Sequence, residues 1–240
     1  MLVVGFPTGA LQANCYLVAR GEGAACVIID PGQDAVEPIT QALRKHRLSP
    51  VAVALTHGHF DHAFSVAPVC DGNDIPAWVH PKDRALLSDP ARGVSATATS
   101  AFAGLLTMRE PAEVRDLADG SVLDIEGLRL VVDHTPGHTQ GSVVFRCDTE
   151  EGGRLAFAGD TLFAGSIGRT DLPGGDMRQL MRSLRDKILP LADDTVVLPG
   201  HGPSTTIGHE RMANPFLAGL TDDGTARAGG EPVRGPSRGL

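Results

Sequence analysis

Four side chains able to bind a metal fall within six consecutive positions, His57-Gly58-His59-Phe60-Asp61-His62. They directly follow Val51-Ala52-Val53-Ala54-Leu55-Thr56, a short apolar run that reads as a buried strand. The chain must therefore fold so that a rigid element ends at a polar site. His57 and His59 are two apart, so an extended backbone sends both rings out of one face. Gly58 between them lets the chain turn tightly. Asp61 and His62 then open a following helix and point back toward the same pocket. Imidazole suits Zn, Fe or Mn, and carboxylate adds charge and the ability to bridge.

Three further segments place a polar residue after an apolar strand and beside glycine. His138 lies in Thr135-Pro-Gly-His-Thr-Gln-Gly-Ser142, Asp160 in Ala158-Gly-Asp-Thr161, and His201 in Pro199-Gly-His-Gly-Pro203. Taken singly, each has a plain structural reading. A histidine in a glycine turn is a solvated turn residue, and Gly-Asp-Thr is a helix N-cap. Taken with the first cluster, five histidines and two aspartates stand at strand ends, where loops assemble sites. His46, His80, His134 and His209 lack this context; His46 and His209 read as surface residues, and none of the four is expected to be a ligand.

The 240 residues suit one large domain or two small ones. Strands are expected at 13–19, 24–29, 51–55, 77–79, 121–125, 128–133, 142–147, 154–159 and 195–198, and helices near 35–47, 62–70, 82–88 and 176–189. Residues 91–104, rich in Ala, Ser, Thr and Gly, read as a loop or weak helix that could form part of a lid. The order gives two halves, each a sheet with covering helices. That suggests an α/β fold, a four-layer αββα sandwich of two mixed β-sheets with helices outside. A catalytic domain is expected over 1–216 and a disordered tail over 217–240, where Gly, Arg, Pro and Asp show no periodicity.

The net charge of −8 argues against a nucleic-acid binder. No run approaches the ~18 apolar residues of a membrane span. The apolar start, Met1-Leu-Val-Val-Gly-Phe6, lacks the basic flank and cleavage site of a signal peptide. Cys15, Cys26, Cys70 and Cys147 form no Cys-x-x-Cys pair, which fits a reducing cytoplasm.

His57-Gly-His-Phe-Asp-His62, Gly137-His138, Gly159-Asp-Thr161 and Gly200-His-Gly202, in this order, resemble the metallo-β-lactamase superfamily. Asn14-Cys-Tyr16, Asp30-Pro-Gly32 and Gly168-Arg-Thr-Asp171 are similar to its hydroxyacylglutathione hydrolase (glyoxalase II) branch. The resemblance covers about residues 2–216 and implies two divalent metal ions, zinc first, with iron or manganese as alternatives. His57, His59 and His138 would hold the first; Asp61, His62 and His201 the second; Asp160 would bridge them. Asp61 and Asp160 would thereby be catalytic. Asp30 would orient a ligand imidazole or, on its structural reading, only end a strand. Longer members carry a C-terminal helical domain that helps grip glutathione, and this chain has little sequence left for one. β-Lactamases usually have Cys where this chain has Asp160, which points away from antibiotic hydrolysis.

Such a site would hold a bridging hydroxide at neutral pH and attack the carbonyl of a small-molecule thioester, an S-lactoylglutathione-like compound. A thiolate with a pKa near ~8.5 can leave without a strong general acid. Arg169 is the candidate for gripping a carboxylate of the thiol carrier, and its structural alternative is an ion pair with Asp171 or Asp176. The main rival function is a mononuclear-iron persulfide dioxygenase of the same fold, which the Gly-Arg-Thr-Asp stretch also resembles. A nuclease of this fold would need a more basic chain. Neither the thiol carrier nor the oligomeric state is encoded legibly.

Overall fold

The computed structural model describes residues 1–95 and 107–220. Most of the expected lid, from residue 96, and the tail from 221 lie outside the described residues.

Strands Leu2–Thr8 (β1), Ala13–Ala19 (β2), Ala25–Ile29 (β3), Ser49–Ala54 (β4), Ala77–Val79 (β5) and Val114–Asp116 (β6) form one sheet in that order. Its first two pairings are antiparallel and the rest parallel. The second sheet uses Val122–Ile125 (β7), Leu128–His134 (β8), Val143–Asp148 (β9), Arg154–Gly159 (β10), Val196–Pro199 and Thr205–Thr206. A small hairpin, Leu162–Phe163 (β11) with Ser166–Ile167 (β12), comes between, so the last two strands are β13 and β14. The second sheet runs β14-β13-β10-β9-β8-β7, with only β10 and β13 parallel.

The continuous apolar runs follow from strands buried on both faces. In β2, Cys15, Leu17 and Ala19 face one core while Tyr16 and Val18 face another. In β3, Cys26 and Ile28 alternate with Val27 and Ile29 in the same way. The first core takes Ile39 and Ala42 from helix Val36–His46 (α1), and Val66, Val69 and Cys70 from helix Val66–Asn73. The middle core lies between the sheets, where Leu130, Val132 and Phe145 meet Val27 and Ile29. The outer core pairs Val144, Ala156 and Ala158 with Leu180 and Leu184. Helix, sheet, sheet and helix make the expected four layers.

The structure departs from the sequence expectation in its details. The expected helix over 62–70 is two short helices, Phe60–Ala63 (α2) and Val66–Asn73 (α3). Pro68 accounts for the break: it has no N–H to give and its ring would crowd the carbonyl of Phe64. The segment 82–88 holds only a 3-10 turn, Arg84–Leu87. Helix Met177–Ser183 (α4) is capped by the Asp176 side chain, which accepts from the Gln179 N–H at 3.0 Å, and runs on as a π turn over Leu184–Ile188. The apolar start is edge strand β1, which tolerates Pro7 because an edge need not donate. Helix Ile207–Ala213 (α5) and the short strands β6, β11, β12 and β14 were not anticipated. Leu217 is buried in the outer core, so packed chain continues past residue 216. No helix among the described residues is long and apolar enough to cross a membrane.

Candidate metal centre

The site lies where both sheets end along one edge. β4 leads into the loop carrying His57 and His59 and into α2, which carries Asp61 and His62. From the second sheet, β8 leads to His138, β10 to Asp160 and β13 to His201. The structure thus brings all seven sequence candidates together. His57, His59 and His138 place ligand-capable atoms within 4.8 Å of one another, and so do Asp61, His62 and His201. Close approach requires Gly200: a Cβ there would sit 2.1 Å from Asp160 Oδ1.

Hydrogen bonding decides which ring nitrogens are bare. His138 Nδ1 donates to the Arg169 carbonyl at 2.8 Å, and His201 Nδ1 to the Leu11 carbonyl at 3.1 Å. His62 Nδ1 lies 3.0 Å from Asp30 Oδ2. Thr56 Oγ1 donates to the same Asp30 oxygen at 2.6 Å, so it accepts from His57 Nδ1 at 3.0 Å. Each of these four rings therefore carries its proton on Nδ1 and turns a bare Nε2 inward when neutral. His62 Nε2 and His201 Nε2 face each other at 3.2 Å. Two lone pairs at that distance repel, and only a cation between them, proton or metal, relieves it. On the other side, His59 Nδ1 lies 2.9 Å from His138 Nε2. His57 Nε2 and Asp160 Oδ1 are buried with no hydrogen-bond partner among the described residues. Unpaired buried polar atoms are rare in folded proteins, and two in one cluster call for an ion. His59 Nε2 is also buried without a hydrogen-bond partner, but it turns away from the cluster toward Gly93.

Asp160 stands between the two groups. Its Oδ1 is 3.4 Å from His62 Nε2, and its Oδ2 is 3.5 Å from His138 Nε2 and 3.7 Å from His201 Nε2. Asp61 Oδ2 lies 3.3 Å from His201 Nε2 and 3.7 Å from His62 Nε2. Asp30 also clusters with His57 and His62, but its oxygens are engaged by Thr56 and His62. It orients the His62 ring rather than offering a free ligand atom.

The charge states match a cation site. Burial, reinforced by His62 and His138, holds His57 well below the ordinary imidazole value. Burial and His138 pull His59 down to about 3. Burial would raise Asp160, but His62, His57 and His138 hold it well below the usual carboxylate range. Burial likewise opposes the lowering of Asp61 by His62 and His201. In His62, burial favours the neutral ring, yet Asp61 and Asp160 together raise its pKa. Neutral imidazoles beside ionised carboxylates are what divalent ions require, and a metal here would displace the His62 proton. The nitrogen and carboxylate donors fit divalent metals such as zinc, iron or manganese.

A cavity of about 540 Å³ opens onto this cluster, with Leu11, Phe60, Phe163, Ile167, Leu172 and Arg169 on its walls. The Arg169 side chain pairs with Asp171, Nε to Oδ1 at 2.7 Å and Nη2 to Oδ2 at 2.8 Å. Its structural alternative is therefore realised with Asp171, while Asp176 caps α4. His80 and His134 stack on each other with centroids 4.0 Å apart, and His46 pairs with Glu22. Sequence reasoning missed Thr56 and the carbonyls of Leu11 and Arg169. Carbonyls leave no trace in a sequence, but a hydroxyl residue between strand and histidine was a usable signal.

Residues 8–201 match the family described as the metallo-beta-lactamase superfamily. A relative from Haemophilus influenzae named hydroxyacylglutathione hydrolase GloC is 37% identical over 215 residues, covering 88% of this chain and 95% of that one. The crystal structure of the BLEG-1 B3 metallo-beta-lactamase superposes with a TM-score of 0.79 at 40% identity, over 91% of this chain and all of that one. That of TTHA1623 in a di-iron-bound form gives 0.74 at 41% identity, over 89% and 100%.

Proposed function

Because the chain belongs to the metallo-beta-lactamase superfamily, we propose that it is a binuclear metallohydrolase that cleaves thioesters of a small thiol carrier. The observation that carries the binuclear reading is the bare nitrogen pair of His62 and His201, 3.2 Å apart, beside Asp61 and Asp160. A site for one ion at His57, His59 and His138 would leave that second set to a proton alone, although it offers two imidazoles and a carboxylate to a metal. In this reading His57, His59 and His138 would hold one ion and Asp61, His62 and His201 the other, with Asp160 available to both. Bound divalent ions supply Lewis acidity, which polarises a carbonyl and acidifies water.

The chain's own groups do the rest. Asp30 and Thr56 fix the rings of His62 and His57, and the Arg169 and Leu11 carbonyls fix those of His138 and His201. Ionised Asp61 and Asp160 accept a hydrogen bond from water at the cavity floor and orient it toward a carbonyl. The cysteines are buried outside this cavity, so attack by a side-chain thiol plays no part. A thiolate leaving group, with a pKa near ~8.5, departs without a dedicated acid. Arg169, at the cavity wall, exchanges Asp171 for a carboxylate of the carrier. The name of the GloC relative supports a glutathione-type carrier. The di-iron form of TTHA1623 supports paired ions.

The test is metal identity and stoichiometry on protein assayed with S-lactoylglutathione. Two ions per chain with hydrolysis is the expected result. One iron per chain, no hydrolysis and oxygen uptake with a persulfide would replace this reading with the dioxygenase. Because the BLEG-1 structure is of a B3 metallo-beta-lactamase, a β-lactam belongs in the same assay. Faster turnover of it than of any thioester would overturn the substrate class.

A further inference from the structure

Asp83 is a carboxylate only 1% exposed, outside every ligand motif. Its Oδ2 accepts from the Gly58 N–H at 2.9 Å and the Thr139 hydroxyl at 2.6 Å, and its Oδ1 from the Gly141 N–H at 2.7 Å. No ammonium or guanidinium among the described residues forms an ion pair with it. Burial raises its pKa, and the three donors only partly oppose that.

Those donors belong to two loops from different sheets. Gly58 lies between His57 and His59, whereas Thr139 and Gly141 follow His138. One side chain thus clamps the loop after β4 to the loop after β8. The fit is tight: a Cβ on Gly141 would lie 2.5 Å from Asp83 Cγ. Thr139 is locked in turn, its hydroxyl 2.7 Å from Ser142 Oγ and its N–H donating to the same oxygen at 3.1 Å. The clamp acts where His59 Nδ1 and His138 Nε2 come within 2.9 Å. No hydrogen bond of Asp83 reaches the Asp61, His62 and His201 set.

We infer that Asp83 is a positioning residue for one ion only, the one at His57, His59 and His138. It fixes the separation of the two loops that carry those rings. The inference rests on the reading of these histidines as ligands.

Zn²⁺ titration of the full chain against a chromophoric chelator tests it, with thermal unfolding of metal-free protein as a check on folding. Wild type is expected to bind two Zn²⁺. Asp83→Asn puts a donor where the loops need an acceptor. It is expected to weaken one Zn²⁺ by about 10- to 100-fold, the usual loss when a supporting residue is removed, and the other by less than twofold. Repeating it in His201→Ala, where only the three-histidine set is complete, assigns the weakened ion. Thr139→Val removes one donor, so a smaller loss at the same ion is expected. It decides the matter if Asp83→Asn does not fold. Unchanged affinities in a folded variant, or equal weakening of both ions, would overturn the role. Wild type that binds no Zn²⁺ would remove the ligand reading and this inference with it.

Discussion

The residue that most concentrates the chemistry is Asp160, whose two oxygens reach histidines of both sets. Asp160→Ala should lower metal content below two per chain and cut kcat/KM by at least ~100-fold, since uptake of a second ion depends on it. Elemental analysis beside steady-state kinetics checks both. Arg169 separates side chain from backbone. Its carbonyl holds His138, and its guanidinium pairs with Asp171, while the residue lines the cavity. Arg169→Ala keeps the carbonyl, so metal content should stay at the wild-type value while KM rises for a carboxylate-bearing thioester. Unaltered kinetics would leave the Asp171 pair as its whole role. Thr56→Val keeps the shape but takes a donor from Asp30 and an acceptor from His57. We expect a loss of about 1–3 kcal/mol in stability by denaturant unfolding, because buried partners are left unmet.

At the scale of elements, the strands that position ligands were legible because each is a short apolar run with a glycine at its end or within four residues of it. β2, β5 and β9 lie within a residue or so of the expected bounds, and His57, His138, Asp160 and His201 follow strands as their motifs suggested. What the sequence hid has physical causes. β1 pairs along its whole length with β2, from Leu2 opposite Ala19 to Thr8 opposite Ala13, but Gly5 and Pro7 disguise it. β14 and the β11–β12 hairpin are two residues per strand, too short for any period. Asp83 gave no signal because its partners, two backbone N–H groups and the Thr139 hydroxyl, are remote in sequence. Helix α4 offers a test of independence between layers. Leu184 is fully buried against the second sheet and far from the ligands in sequence. Leu184→Ala should cost about 2–5 kcal/mol in urea unfolding while Zn²⁺ stoichiometry stays unchanged.

For the whole molecule, pH and metal set the stability together. His80 is half-buried and stacked on His134, and burial, with help from His134 and Lys82, pulls its pKa down to about 4. An unfolded histidine titrates near ~6.5. Between these values the unfolded chain binds a proton that the native one refuses. Stability from this group is therefore whole above about pH 6.5 and falls as pH drops toward 4. His80→Gln should flatten the decline of the unfolding midpoint over that interval; parallel curves for the two proteins would refute it. The seven clustered side chains come four from the loop and helix after β4 and three from the second sheet. An ion seated among them would act as a rivet through both leaves of the sandwich. Stripping it should let that margin breathe first, so amide exchange in a chelated sample should quicken around residues 57–62 and 135–142 while the opposite margin, near β7, keeps its protection.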